Sequence, residues 1–185
     1  MIRLAVCTPH TGTIKTKTVL SLFRMFKAFP HEYNFLTQEG SVLHDNRRRL
    51  VKGAQKMNAT HLLFVDSDMT FESDAVLKLL AHDKDIIGVH ANCRALPLKT
   101  TVELKPGQTE LKELDTCNAI GTGFLLIKME VFNKIKEPWF FWKLDESGDT
   151  IMGEDHWFCE KAKESGYEIW VDTKIKIGHL GEYEF

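Results

Sequence analysis

The sequence predicts an α/β fold in which helices cover both faces of a mostly parallel sheet. Up to residue 89, short apolar runs alternate with segments whose apolar residues recur at helical spacing. The run at residues 61–65 is apolar enough for a strand that is buried on both faces. A chain of 185 residues, 43% hydrophobic and 27% charged, is ordinary for one globular domain. Disordered, collagen-like and disulfide-scaffold classes are therefore excluded.

The predicted elements follow one another in a regular order in the first half of the chain. Strands are predicted at residues 2–7, 32–36, 61–65 and 85–89, and helices at 17–29, 42–57 and 74–81. The polar stretch 90–115 interrupts this alternation and predicts loops with short strands. Beyond it, the sequence predicts a buried strand at 124–127, a helix at 154–165 that Gly166 ends, and a last strand at 167–171.

Charge and cysteine content narrow the function classes. The chain has 24 basic and 26 acidic residues, so it has no overall field that would attract nucleic acid or an anionic membrane. A local basic strip that binds nucleic acid is still an option; it would be built from arginines 47–49 and the pairs Lys15/Lys17 and Lys174/Lys176. None of the four cysteines forms a C-x-x-C pair, which predicts buried free thiols. Neither a signal peptide nor a membrane span is indicated, so we expect a cytoplasmic protein.

The first candidate functional motif is Asp66-Ser67-Asp68, directly after the strand predicted at residues 61–65. In parallel α/β sheets, ligands bind beyond the carboxyl ends of the strands. Two carboxylates one residue apart at that edge repel each other and lose solvation, and a divalent cation offsets both costs. The motif therefore favours a metal site. The alternative is that one aspartate caps the following helix and the other faces solvent.

Four further motifs follow along the chain. They are GTGFLLI from Gly121, GEDHWFC from Gly153, IWVD from Ile169 and GHLG from Gly178. Together with Asp66-Ser67-Asp68, and in this order, they resemble the motifs of GT-A fold glycosyltransferases, in particular compact family 2-like enzymes of bacteria and phages. The resemblance spans residues 2–181. It implies one Rossmann-like GT-A domain over residues 1–185, with a nucleotide-binding half at 1–89 and an acceptor-side half at 90–185.

The resemblance implies a site for a nucleotide-sugar donor, a UDP-sugar or a similar compound. Asp66, Asp68 and His179 would hold Mn²⁺ or Mg²⁺ on its diphosphate, with Asp66 contacting the ribose or reaching the metal through water. The glycines around His179 favour this role over that of a surface histidine, because they let the chain approach a ligand closely. The residues implied to contact the donor are Thr8, Pro9, His10, Arg47, Asp66, Ser67 and Asp68.

Arg47 is the arginine that the resemblance selects from the run at residues 47–49. It would pair with the diphosphate or with the acidic pair, whereas a charge run of this kind is otherwise a solvated helix face. Residues 90–98, with Arg94, would border the donor sugar.

Asp155, with Glu154 as its neighbour and substitute, is the candidate catalytic base. In an inverting transferase a carboxylate accepts the proton of the attacking hydroxyl. The alternative is that Gly-Glu-Asp caps the next helix and complements its dipole. In the aromatic run at residues 139–142 we expect one or two core residues and at least one tryptophan at the acceptor side, with Trp139 and Trp142 as the candidates, since sugar C–H faces pack on rings. A core cluster or a dimer contact is the alternative.

Two other functions are weighed against a metal-dependent, inverting hexosyl- or pentosyltransferase. Asp66-Ser67-Asp68-Met69-Thr70 also fits the D-x-D-x-T nucleophile motif of haloacid dehalogenase-type phosphatases. In that family the motif ends the first strand, whereas here two strand–helix units precede it. The second alternative is a nucleotide-sugar-binding module without catalytic activity. The acceptor stays open between a glycan, a protein, a small molecule and a modified nucleobase, and so does assembly into a homo-oligomer.

Overall fold

A computed structural model describes residues 1–92 and 99–181. The helices are α1 (Thr16–Ala28), α2 (Leu43–Lys56), α3 (Ala75–Ala81), α4 (Val131–Lys134) and α5 (Glu154–Glu164). The strands are β1 (Arg3–His10), β2 (Glu32–Glu39), β3 (His61–Val65), β4 (Met69–Phe71), β5 (Ile86–Val89), β6 (Val102–Glu103), β7 (Leu114–Cys117), β8 (Ala119–Ile120), β9 (Phe124–Lys128), β10 (Lys143–Leu144), β11 (Thr150–Met152), β12 (Ile169–Asp172) and β13 (Ile177–His179).

Seven of these strands form one sheet in the order β2-β1-β3-β9-β5-β12-β7. Strands β2, β1, β3, β5 and β12 run in one direction, whereas β9 and β7 run against their neighbours. The predicted mostly parallel sheet is therefore confirmed. Because β9 is antiparallel, its first residues lie at the same edge as the last residues of β3, which is the edge where ligands bind in such sheets.

The core lies on both faces of the sheet. Successive strand residues point to opposite faces, so Ala5 and Cys7 of β1 join the cluster under α2, α4 and α5, whereas Leu4 and Val6 join the cluster under α1 and α3. All four are fully buried, as a strand covered on both faces requires. Helices on both faces of the sheet are thus confirmed, and the sheet edge between them is free to carry a site.

The predicted strands and helices are confirmed to within a few residues, and five short elements were missed. Strands β4 and β13 pair with each other, β10 and β11 form a hairpin, and α4 is one turn. The expected buried thiols are confirmed for Cys7, Cys117 and Cys159, and burial raises the pKa of Cys159 to about 12. Cys93 lies outside the described residues.

No helix within residues 1–92 and 99–181 is both long enough and apolar enough to cross a membrane.

Candidate functional site at the carboxyl edge of the sheet

The Asp66-Ser67-Asp68 turn contacts two other loops at the carboxyl edge. The Asp66 amide donates to the Gly123 carbonyl over 2.9 Å, and the Lys15 amide donates to the Ser67 carbonyl over 2.8 Å. A Cβ at Gly123 would lie 3.4 Å from Asp66 Oδ2, about van der Waals contact. The backbone before β9 therefore lies close beside the Asp66 carboxylate.

Thr8, Pro9 and His10, predicted to face the nucleotide, form the end of β1 at this same edge. The His10 carbonyl accepts from the Gly40 amide over 3.0 Å, and its ring Nδ1 accepts from the Gly12 amide over 3.1 Å. Thr8 is fully buried, and its Oγ1 has no hydrogen-bond partner within residues 1–92 and 99–181. The sheet thus brings this segment and Ser67 to one edge, while Arg94 lies outside the described residues.

Arg47 is a buried residue that joins two carboxylates from distant parts of the chain. Only 1% of it is exposed; its Nη2 lies 3.0 Å from Asp66 Oδ1 and its Nε 3.4 Å from Glu154 Oε1. Its guanidinium also lies over the Phe64 ring, 5.2 Å from the centroid. Of the two pairings predicted for it, the structure shows the one with the acidic residue Asp66. The interpretation of a solvated charge run is wrong for this arginine.

Glu154 uses both oxygens of its carboxylate to hold neighbours in place. Oε1 faces Arg47, and Oε2 accepts a hydrogen bond of 2.8 Å from the Trp142 indole N–H. Glu154 is only 8% exposed. Because both oxygens are engaged, Glu154 positions Arg47 and Trp142, and its predicted role as a substitute base finds no support in this geometry.

The two tryptophans predicted at the acceptor side lie in different environments. Trp142 is 38% exposed, packs against the His44 ring at 5.2 Å and reaches the site through Glu154. Trp139 is 4% exposed, and its indole N–H donates to the Ile135 carbonyl within the core. The prediction that Trp139 faces an acceptor is therefore corrected, because its ring fills the core beside Phe132.

Asp68 and His179 form a pair suited to a cation. His179 Nε2 lies 3.3 Å from Asp68 Oδ1, and His179 Nδ1 lies 3.0 Å from the Asn92 carbonyl oxygen. Since a carbonyl can only accept, Nδ1 must carry a proton, and in a neutral imidazole Nε2 then presents its lone pair to the carboxylate. A proton on Nε2, or a metal ion bound by both side chains, would make this contact attractive.

A short antiparallel pair of strands presents His179 to Asp68. Strand β13 pairs with β4, so that His179 lies opposite Met69, and the Leu180 amide donates to the Asp68 carbonyl over 2.8 Å. Arg47 holds Oδ1 of Asp66, which leaves Oδ2 as the oxygen available to a ligand. The part of the chain that the structure describes contains no group of three or more His, Cys, Asp or Glu side chains able to hold a metal. The structure brings Asp68 and His179 together, and the predicted role of Asp66 at the metal stays a prediction.

The G178A variant is expected to weaken this strand pair. A Cβ at Gly178 would lie 2.5 Å from Thr70 Oγ1, which is too close for the pair to keep its present spacing. We expect a loss of about 1–3 kcal/mol in the free energy of unfolding, as for other overpacked sites. Chemical denaturation would measure it. G181A is the matched control, since a Cβ there meets no atom of the described residues within 4 Å; equal stability of the two variants would contradict the prediction.

Asp155 lies in the first turn of α5 and lines a cleft of about 510 Å³. The cleft also contains Glu103 and Asn118 on one side and Ile151 of the β10–β11 hairpin. Burial, and then the nearby Glu154 charge, raise the pKa of the Asp155 carboxyl above its ordinary value. A carboxyl group with a raised pKa in a cleft has the properties of a general base.

Comparisons with known proteins agree with this architecture. No protein-family model and no curated protein matches the chain. Solved structures do: A197 from STIV has a TM-score of 0.72 at 20% identity, covering 98% of this chain and 87% of its own. A glycosyltransferase involved in the glycosylation of the major capsid of PBCV-1 has a TM-score of 0.51 at 14% identity, covering 97% and 95%.

Two further solved structures cover most of this chain at 13% identity. TarS 1-349 from S. aureus has a TM-score of 0.54 and covers 97% of this chain, which spans 60% of the TarS structure. The inositol-1-phosphate CTP transferase from T. maritima has a TM-score of 0.55, covering 97% and 89%. The chain therefore has a GT-A-like fold.

Proposed function

We propose that the protein is a metal-dependent glycosyltransferase that moves a sugar from a nucleoside-diphosphate sugar to an acceptor hydroxyl, with inversion. The observation that carries the proposal is the Asp68–His179 pair, which calls for a positive charge at the ligand-binding edge of a GT-A-like sheet. The free thiols Cys7, Cys117 and Cys159 fit a reducing compartment, so we place the protein in the cytoplasm.

Asp68 and His179 are the residues that would hold Mn²⁺ or Mg²⁺, with oxygens of the donor diphosphate supplying further ligands. The ion would neutralise the charge that develops on the leaving diphosphate. Thr8, His10 and Ser67, at the same edge, would line the nucleoside. Asp66 would contact the ribose, since Arg47 leaves its Oδ2 available while fixing its orientation through Oδ1.

Asp155 would act as the base, and the acceptor would enter the cleft that it lines. Its carboxylate would take the proton of the acceptor hydroxyl while that oxygen forms a bond to the anomeric carbon. The bond from this carbon to the diphosphate oxygen breaks at the same time, and its electron pair leaves with the diphosphate. Attack from the face opposite the leaving group inverts the configuration.

The phosphatase alternative is weaker because of where Asp66 lies. The motif ends β3, the third strand along the chain, and Asp66 Oδ1 is held by a buried arginine. A guanidinium bound to Oδ1 draws negative charge from the whole carboxylate, so it lowers the nucleophilicity of Asp66.

Calorimetry with Mn²⁺ and a panel of nucleotide sugars tests the proposal. We expect one donor to bind in the presence of Mn²⁺, and the D68A variant to bind it about 10–100-fold more weakly, because half of the protein's metal-binding pair is lost. D85A is the matched control, since Asp85 pairs with Lys128 far from the site. The panel includes CTP, because a nucleotidyltransferase shares this fold.

Three outcomes of the screen would contradict the proposal. Wild-type protein that binds no nucleotide sugar has no donor site of the proposed kind. Equal binding by D68A and D85A would remove Asp68 from that site. Turnover of CTP, or release of phosphate from phosphate esters, without any sugar transfer would assign the chain to another class of enzyme.

A further inference from the structure

Helix α1 exposes large apolar side chains that the candidate site does not use. Phe23 is 65% exposed, Leu20 48% and Val19 47%. Next to them, Phe26 stacks on Tyr33 at 4.6 Å and meets Phe35 edge-on at 5.5 Å, so aromatic rings continue from the helix onto the edge strand β2. Contiguous exposed apolar surface of this kind marks a site of interaction.

Basic residues border this apolar surface on its other side. Lys17 and Arg24 of α1 and Lys176, just before β13, line a cleft of about 570 Å³ between α1 and the β4–β13 pair. The acidic residue in its lining, Glu72, is 66% exposed and already pairs with Lys78 at 3.2 Å. Within residues 1–92 and 99–181, none of the three cations forms an ion pair.

The sequence of α1 keeps this surface basic and apolar along its whole length. The helix TKTVLSLFRMFKA contains no acidic residue, although the chain as a whole carries a net charge of −2. The charges are therefore separated on the molecule, with positive charge gathered around Leu20 and Phe23. An anionic partner would complement this positive charge. The exposed rings indicate that the partner also accepts apolar side chains.

We propose that the surface made by Lys17, Leu20, Phe23, Arg24 and Lys176, called here the α1 surface, adsorbs to an anionic lipid bilayer. Phenylalanine and leucine side chains insert at the boundary between headgroups and acyl chains, while lysine and arginine keep their charges at the lipid phosphates. A nucleic acid would satisfy the cations but would leave Leu20 and Phe23 exposed to water.

Adsorption of this kind would hold the candidate site near the bilayer. Thr70 and Gly178 line the same cleft as the three cations, and they belong to the strand pair that presents His179 to Asp68. An acceptor at the bilayer surface would then be within reach of the site. The adsorption itself does not depend on the proposed function, since it rests on residues outside the site.

Sedimentation with lipid vesicles tests the proposal on the full-length protein. We expect wild type to sediment with phosphatidylglycerol-containing vesicles, and less with pure phosphatidylcholine. The triple variant K17Q/R24Q/K176Q should lower the partition coefficient about 100-fold, since each basic residue at an anionic surface raises this coefficient roughly fivefold. The variant L20S/F23S should lower it to a similar extent, because two inserted side chains are lost.

Matched controls separate this surface from general charge and apolarity. R49Q/K56Q/K136Q removes three exposed cations elsewhere, and L144S/I151S removes two exposed apolar side chains of the β10–β11 hairpin. Both should sediment like wild type. The proposal is overturned if wild type does not sediment with anionic vesicles, or if the controls lose as much binding as the α1 variants. Salt-sensitive binding to duplex DNA without binding to vesicles would overturn it in favour of a nucleic-acid surface.

Discussion

Replacing Arg47 with methionine is expected to lower the free energy of unfolding by about 3–5 kcal/mol, the cost of breaking a buried ion pair from one side. Arg47 is 1% exposed and neutralises Asp66 and Glu154, which lie 19 and 107 residues away along the chain. Methionine fills a similar volume but leaves Glu154, whose side chain is 10% exposed, without its cation. Thermal and urea denaturation would measure the loss.

Two further variants separate loss of the ion pair from a general effect of substitution in α2. R49M, on the exposed side of the same helix, should change the stability by less than about 0.5 kcal/mol. In R47M/E154Q the second change removes the unpaired charge, so part of the lost stability should return. If R47M were as stable as R49M, the buried position of Arg47 would be contradicted.

R47K tests whether the shape of the guanidinium matters as well as its charge. The two nitrogens Nη2 and Nε reach different carboxylates, which a single ammonium group cannot do. We therefore expect R47K to recover less than half of the stability lost in R47M, together with weaker donor binding because Asp66 is no longer held in one orientation. A fully stable R47K would show that charge alone suffices.

The central strands of the main sheet could be predicted from sequence because they contain continuous apolar runs. Residues such as Leu62, Leu63 and Phe64 are fully buried whichever face they point to, so their sequence predicts a covered strand without knowledge of its partners. The strands β4 and β13 have three residues each, too few for periodicity to show. As a result, the residues Asp68 and His179 were predicted for one site, but the strand pair that joins them was not.

The roles of neighbouring residues were the least predictable part of the site. Glu154 and Asp155 are adjacent in sequence, but successive residues of a helix point about 100° apart. Glu154 therefore faces Arg47, whereas Asp155 faces the cleft. The aromatic run is a second case of nearby residues with different roles. The Trp139 ring lies in the core, whereas the Trp142 indole donates a hydrogen bond to Glu154. A linear sequence gives residue types but not these directions.

Replacing Asp155 with asparagine is expected to lower the turnover of sugar transfer about 10²–10⁴-fold, the usual contribution of a general base. Asparagine keeps the size of the side chain but accepts no proton from the acceptor hydroxyl. Donor binding should be unchanged, because Asp68 and His179 are intact. Steady-state kinetics, with calorimetry for the donor, would therefore show a loss in kcat without a loss of donor affinity.

The pH dependence of turnover gives an independent check on the same residue. A general base must be ionised, so activity should rise with pH through the pKa of Asp155. Burial and Glu154 raise this pKa, which places the acidic limb of the wild-type profile above the ordinary range of an aspartate. D155N should lose that limb, and its residual activity should be flat in the same range.

Stability should move in the opposite direction to activity in D155N. Since the folded state holds the proton of Asp155 more tightly than the unfolded chain does, stability falls as pH rises from the unfolded to the folded pKa, and the cost persists above it. Asparagine carries no such cost, so D155N should be at least as stable as wild type at neutral pH. E164Q, which removes an exposed carboxylate from the opposite end of α5, should keep both turnover and the acidic limb. A D155N enzyme with normal turnover would remove Asp155 as the base, whereas a destabilised one would show that the carboxylate is held by contacts that its raised pKa does not indicate.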